Sequence, residues 1–441
     1  MTQAFGLHSL YALPWWVLLF FGLGVLSVLT AIMSLFFALG RRPPSAWATE
    51  IPDINSREFL VGISAIVNSP LQPGGTIRLL NNGDEFFPAM LAAMRAARRT
   101  INFSAYIWEP GRVGDQFFDV MTERARAGVE VRVLLDGLGG LRAPGDRIKQ
   151  LTEAGGKVCR FRPMRLGRIT RFHRRNHRRA IVIDGEVAFT GGAAVGDKWL
   201  GNARNPDEWR DTMVQVTGPL ARSVQSAFVT LWAPSAGEML MGDGHYPPQE
   251  AAAPGGETVA YHTSVTSAPS SEDHPLRLFY MLSFLSARRT LYIATPYFVP
   301  DQHTRSAVAG RARAGVDVRI LLPNGLTDAK PIRQASHSYY TELLEAGVRI
   351  YEYQPAMMHS KLAVVDGLWS VVGSANMDIR SKELNQENVL GILDEGFGRT
   401  VQDTFLADLE RAEEIRPADW ARRGLWPRVK ERVSVMFAEQ Y

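Results

Sequence analysis

Residues 359–374 read HSKLAVVDGLWSVVGS, and residues 177–192 read HRRAIVIDGEVAFTGG. Each stretch sets a histidine two residues before a basic side chain. A short apolar run, an Asp-Gly pair and a second apolar run ending in small residues follow. Four apolar residues bounded by a turn signal predict a strand buried on both faces, with the second run as its antiparallel partner. Alternate residues of a strand share a face, so His359 projects with Lys361, and His177 with Arg179.

Outward from these two stretches the chain repeats. ARRTINFSAYIW (97–108) is answered by ARRTLYIATPYFV (287–299), and RARAGVEVRVLLDG (124–137) by RARAGVDVRILLPN (311–324). EAGGKVCRFRP (153–163) is answered by EAGVRIYEYQP (345–355). The offsets are 190, 187 and 192, with 182 for the histidine stretches, a drift that surface-loop indels explain. Runs such as VRVLL and VRILL alternate with helical segments, which predicts an α/β fold: two tandem domains related by a pseudo-two-fold axis. Their expected bounds are 75–234 and 275–441, the second including a C-terminal tail. Residues 235–274, rich in Gly, Pro, Ser and Ala, read as the connection, with one strand expected in ETVAYHTS. Residues 45–74 read as a linker.

Residues 1–40 contain no Asp, Glu, Lys or Arg. The run Trp15–Leu39 would make a helix of about 37 Å, long enough to span a bilayer. An N-terminal transmembrane anchor over 1–44 is therefore expected, uncleaved because it lacks the basic start of a signal peptide. Arg41 and Arg42 flank it on one side only, which would leave the rest of the chain in the cytoplasm.

Elsewhere composition mainly excludes. One cysteine, Cys159, in 441 residues rules out disulfide scaffolds and thiolate metal clusters. The net charge is only +4, yet ten lysines and arginines and no acid lie between Gly155 and Asp184, among them Arg174 and Arg175 just before His177. Such a run is expected to form a basic lip for anionic phospholipid headgroups. It has little aromatic interleaving, so nucleic acid is not the expected partner.

The histidine motifs carry the chemistry. Ser374, Asn376, Asn385 and Glu387 follow the second; Gly192 and Asp211, a candidate counterpart of Glu387, follow the first. Two imidazoles facing each other could act on one phosphorus, one attacking in line and the other protonating the leaving oxygen. The product of attack is a phosphohistidine, which an alcohol or water resolves. Lys361 and Arg179 would stabilise the equatorial oxygens, so neither metal nor cofactor is expected. Asp184 and Asp366 close the motifs but lie seven residues from the histidines, which reads as a structural place.

With GSANMDIRSKELNQE at 373–387, the paired HxKxxxxD-type pattern resembles the phospholipase D superfamily. LLNNGDEFFPAMLAAMRAA, YIWEPGRVGDQF, VLLDGLGG and WRDTMVQVTGP make the chain from about residue 76 similar to the bacterial cardiolipin synthases. The resemblance implies two α/β/α sandwich domains of phospholipase D type. It also implies a phosphatidyltransferase acting on phosphatidylglycerol, with His177 as nucleophile and His359 as general acid. Two residues depart from the family pattern: Arg179 where lysine is usual, and Ala194 where asparagine is usual. A hydrolytic phospholipase D is the alternative, and a nuclease of the same fold or a non-enzymatic scaffold is less expected. The sequence leaves the acceptor alcohol, acyl preference and oligomeric state open.

Overall fold

A computed structural model describes residues 14–39, 51–163, 174–248, 261–267 and 275–436, with side chains of the first helix only as far as 29. Met1–Glu50 and Ile51–Tyr441 form separate units.

The first unit carries α1 (Trp15–Leu39), whose described side chains are largely exposed. Among the described residues no helix is long and apolar enough to cross a membrane. The expected transmembrane helix is corrected accordingly. Arg41 and Arg42, which were to orient it, lie outside the described residues.

The second unit begins with α2 (Arg57–Val67), capped by Ser56, whose hydroxyl accepts from the Phe59 amide. In the first half β1 (Ile77–Asn81), α3 (Asn82–Arg95), β2 (Thr100–Ala105), α4 (Arg112–Arg126), β3 (Glu130–Asp136) and α5 (Gly145–Glu153) follow. Then come β4 (Lys157–Phe161), β5 (Ala180–Ile183), β6 (Val187–Gly191), β7 (Thr212–Thr217) and α6 (Pro219–Ala236). The second half runs β8 (Tyr261–Thr266), α7 (Pro275–Leu285), β9 (Thr290–Ala294), β10 (Phe298–Val299), α8 (Gln302–Arg313) and β11 (Asp317–Pro323). It continues with α9 (Lys330–Glu345), β12 (Arg349–Tyr353), β13 (Leu362–Val365), β14 (Trp369–Gly373), β15 (Met377–Asp378) and α10 (Ile379–Glu383). The described residues close with β16 (Asn388–Leu393), α11 (Glu395–Leu409), β17 (Ala412–Glu414), α12 (Pro417–Ala421) and α13 (Leu425–Met436).

Beside a two-stranded pair of β10 and β15, the two large sheets have matching strand orders, β1-β7-β6-β5-β2-β3-β4 and β8-β16-β14-β13-β9-β11-β12, with β17 added at one edge of the second. β8 is thus the counterpart of β1, and the second half starts inside the stretch read as a connection. Both faces of each sheet are covered, which is why AIVI and LAVV are unbroken apolar runs. Leu362 and Val364 join Ala180 and Val182 in one core between the sheets, where α6 and α11 lie. Ile181 and Ile183 face α3 and α4, and Ala363 and Val365 face α7 and α8. The segment read as a linker is also structural. Phe59 and Ile63 of α2 are fully buried against the second half, Phe59 meeting Trp369 edge-on at 5.2 Å.

Asp184 and Asp366 occupy the turns after β5 and β13, at the far ends of these strands from the histidines. Both backbones are left-handed, with φ of 54° and 56°. The Asp184 carboxylate accepts the amides of Arg98, Arg99 and Thr100, and Asp366 accepts those of Arg288, Arg289 and Thr290. Each aspartate thereby pins the start of β2 or β9. Asp184→Ala strands three amides and loses a side chain that tolerates positive φ, so a loss of about 3–5 kcal/mol is expected in chemical denaturation. Asp184→Asn should lose less, and equal losses would contradict this account.

Candidate active site

His177 and His359 stand just before β5 and β13, each held by backbone from the opposite half. The His177 amide donates to the Gln386 carbonyl, and the His359 amide to the Arg210 carbonyl. The same crossing supplies the carboxylates. His177 Nδ1 lies 2.8 and 2.9 Å from the two oxygens of Glu387. His359 Nδ1 lies 2.5 Å from Asp211 Oδ2. A proton on each Nδ1 fixes the tautomer and leaves Nε2 as the basic ring nitrogen.

The supports of the two carboxylates differ. The Ser374 hydroxyl donates to Glu387 Oε2 at 2.5 Å. Gly192 holds the corresponding place in the first half, and a Cβ there would come within 2.1 Å of Asp211 Oδ1. The donor to Asp211 is instead the Trp199 indole, at 2.8 Å from Oδ2. Trp199 and Trp209 also flank His359, with ring centroids 5.5 and 5.1 Å away, while Tyr106 meets His177 edge-on at 4.9 Å.

Lys361 and Arg179 are matched. Lys361 Nζ donates to the His359 carbonyl at 2.6 Å and lies 3.2 Å from His359 Nε2. Arg179 donates to the His177 carbonyl, also at 2.6 Å, and reaches on to the Ala193 carbonyl at 3.4 Å. Asn376 and Asn385 are buried, each with an amide oxygen that has no partner among the described residues.

Burial dominates the electrostatics. It pushes His177 well below its ordinary value, with Arg179 and Lys361 adding to the effect, and takes Glu387 up to about 8. Both shifts describe one proton shared in a dry pocket that resists separated charge. Burial and Lys361 bring His359 down to about 4, and burial, with Arg179 adding to it, takes Lys361 down to about 7. Burial would raise Asp211, but His359 outweighs it and holds the carboxyl low.

The structure brings together His177, Glu387, Ser374, Arg179, His359, Asp211, Gly192 and Lys361. It does not bring Asp184 and Asp366 there. Part of the run read as a basic lip is architecture: Arg175 is buried against Asp136 at 3.3 Å, and Arg178 clamps the Ala227 and Ser267 carbonyls. Arg174 is half-buried, with its carbonyl accepting from Arg162. Arg165, Arg168 and Arg171 lie outside the described residues. The aromatic residues beside the histidines were missed. Only for Tyr106 did the repeat hold a signal, since SAYIW and TPYFV place Tyr106 and Tyr297 near the same strand ends.

Residues 90–232 and 282–409 each match the family described as "Cardiolipin synthase, PLD-like domain". The chain is 33% identical over 392 residues to the probable cardiolipin synthase YwiE of Bacillus subtilis (strain 168), covering 88% of this chain and 77% of that protein. A cardiolipin synthase of Geobacillus sp. (strain WCH70) is 36% identical with the same coverage. Among solved structures, a phosphatidylserine synthase of Haemophilus influenzae Rd KW20 superposes with a TM-score of 0.64 over 87% of this chain and 98% of its own. At 16% identity it speaks for the fold alone. Two family matches and close relatives along most of its length make this chain a member of the phospholipase D-like cardiolipin synthase family.

Proposed function

We propose that the enzyme is a phosphatidyltransferase that makes cardiolipin from two molecules of phosphatidylglycerol. The observation that carries this reading is the reciprocal pair of histidines, each oriented by a carboxylate of the other half. His359 takes up a proton at Nε2 when the anionic phosphodiester binds, His177 Nε2 attacks phosphorus, and the bond to the headgroup glycerol breaks as His359 passes that proton to the leaving oxygen. The hydroxyl of a second phosphatidylglycerol then attacks, its proton passes to His359, and the nitrogen–phosphorus bond breaks. Glycerol is the other product. Lys361 and Arg179 hold the non-bridging oxygens, and the unpaired amide oxygen of Asn376 accepts from an incoming hydroxyl. The exposed apolar side chains of α1 support work at the inner membrane, where the substrate resides. Incubation with phosphatidylglycerol should yield cardiolipin and glycerol by mass spectrometry. Phosphatidic acid alone would indicate the hydrolase instead.

The buried site disfavours the charged form of its lysine. Because burial brings Lys361 to about 7, a bound phosphodiester, which favours the ammonium, must bring a proton with it near and above that pH. Affinity for glycerophosphoglycerol should therefore fall as pH rises through 7, approaching about tenfold per unit. Calorimetry in buffers of different ionisation enthalpy would register the proton taken up, and pH-independent binding would sink the assignment.

Arg179 and Ala194 depart from the family pattern together. We assign to the guanidinium both the lysine's place and the donor that the missing asparagine would supply, since it reaches the 193–194 segment. Arg179→Lys should then cost about tenfold in kcat/KM, and adding Ala194→Asn should restore most of it. Simple tolerance of the single change would show that any cation suffices.

A further inference from the structure

Among the described residues, helix α13 leaves one face without a protein partner. Glu431 and Ser434 are buried, and Val435 packs beside Val299, Ile332 and Ala335, so one side of the helix lies on α9. On the opposite side Leu425 and Trp426 are 80% and 69% exposed, and Val429 and Val433 about half exposed at 47% and 50%. At 3.6 residues per turn these four form one apolar stripe directly away from α9. Arg428 and Arg432 fall along one flank and Lys430 along the other, all exposed. The only acid of the helix, Glu431, is turned inward to Arg423.

From this pattern we infer that α13 is an interfacial helix, seating its apolar stripe in an anionic lipid surface while its cations meet the phosphates. A second copy of this chain would set like charges against each other, so charge favours the lipid. The place of the helix agrees. The residues under Val435 also carry Tyr297, whose hydroxyl donates to Asp328, and Asp328 acts electrostatically on His359 and Lys361. Seating α13 would therefore hold the wall of the active site against the surface that supplies its substrate. The inference rests on the reading of the chain as a lipid phosphatidyltransferase and adds the face that meets the bilayer.

The full chain tests it. Val429→Cys in a Cys159→Ser background is labelled with an environment-sensitive nitrobenzoxadiazole. Its emission should rise several-fold and shift to the blue on vesicles of phosphatidylcholine and phosphatidylglycerol in equal parts. The vesicle concentration needed should be on the order of tenfold higher for phosphatidylcholine alone. Reversing Arg428, Lys430 and Arg432 to glutamate should erase that preference, with circular dichroism showing an unchanged fold. No emission change on anionic vesicles overturns the inference. So does equal response on both vesicles, or a vesicle-independent rise with protein concentration, the mark of a second copy. The same labelled protein is assayed for cardiolipin: product without an optical response removes the docking face and leaves the function. A response without product does the reverse.

Discussion

His177→Ala and His359→Ala each bring phosphatidylglycerol turnover down by roughly a thousandfold or more, to the background of the assay. Loss of a nucleophile and loss of a general acid both act at this scale, and neither histidine has a substitute within its pair. The two variants part company on an activated substrate. A phosphatidyl ester of p-nitrophenol leaves without needing a proton, so His359→Ala should still release one nitrophenolate per enzyme in a burst. The phosphatidyl group should then be found on His177 by peptide mass. His177→Ala should give neither burst nor adduct. A burst in His177→Ala with the adduct on His359 would exchange the two roles, and full turnover in either variant would defeat the two-histidine scheme.

Glu387→Gln is the next largest effect, a fall of about a hundredfold to ten-thousandfold in kcat. The Glu387 carboxylate meets Nδ1 of His177, the Ser374 hydroxyl and Ser381. Its work is to place the ring proton and to stabilise the charge that forms on the imidazole. An amide fits the same space but can present its NH2 to Nδ1, which moves the proton to Nε2 and removes the lone pair that must attack. The defect should appear in the burst rate with nitrophenyl ester, while substrate affinity and thermal unfolding stay near the parent's. Equal loss of burst and stability would make Glu387 an architectural residue.

The repeat, the strand pairs and the histidines were legible because each is local: an apolar run of four, an Asp-Gly turn and a two-residue spacing are periodicities of one segment. Even the structural place of Asp184 and Asp366 could be read from their distance along the strand. The exchange of carboxylates could not, since nothing near His359 in the sequence points to Asp211, 148 residues away. Trp199 escaped for the same reason, its task being visible only beside the glycine that makes room for Asp211. The arginine run was legible only as charge, because charge counts do not reveal partners, and Arg175 and Arg178 spend theirs inside the fold. At the N-terminus hydropathy predicts a span, yet among the described residues no helix is long and apolar enough to cross a membrane.

The position of α2 has a consequence in time. Phe59 and Ile63 precede the first half in the chain yet complete the core of the second, against Trp369. On a ribosome adding roughly 5–20 residues per second, α2 emerges some tens of seconds before the tryptophan it packs upon. Until β8 and α7 emerge its apolar face has no native partner in the second half, and the whole first half is synthesised before them. The second half closes last, over a clasp made first.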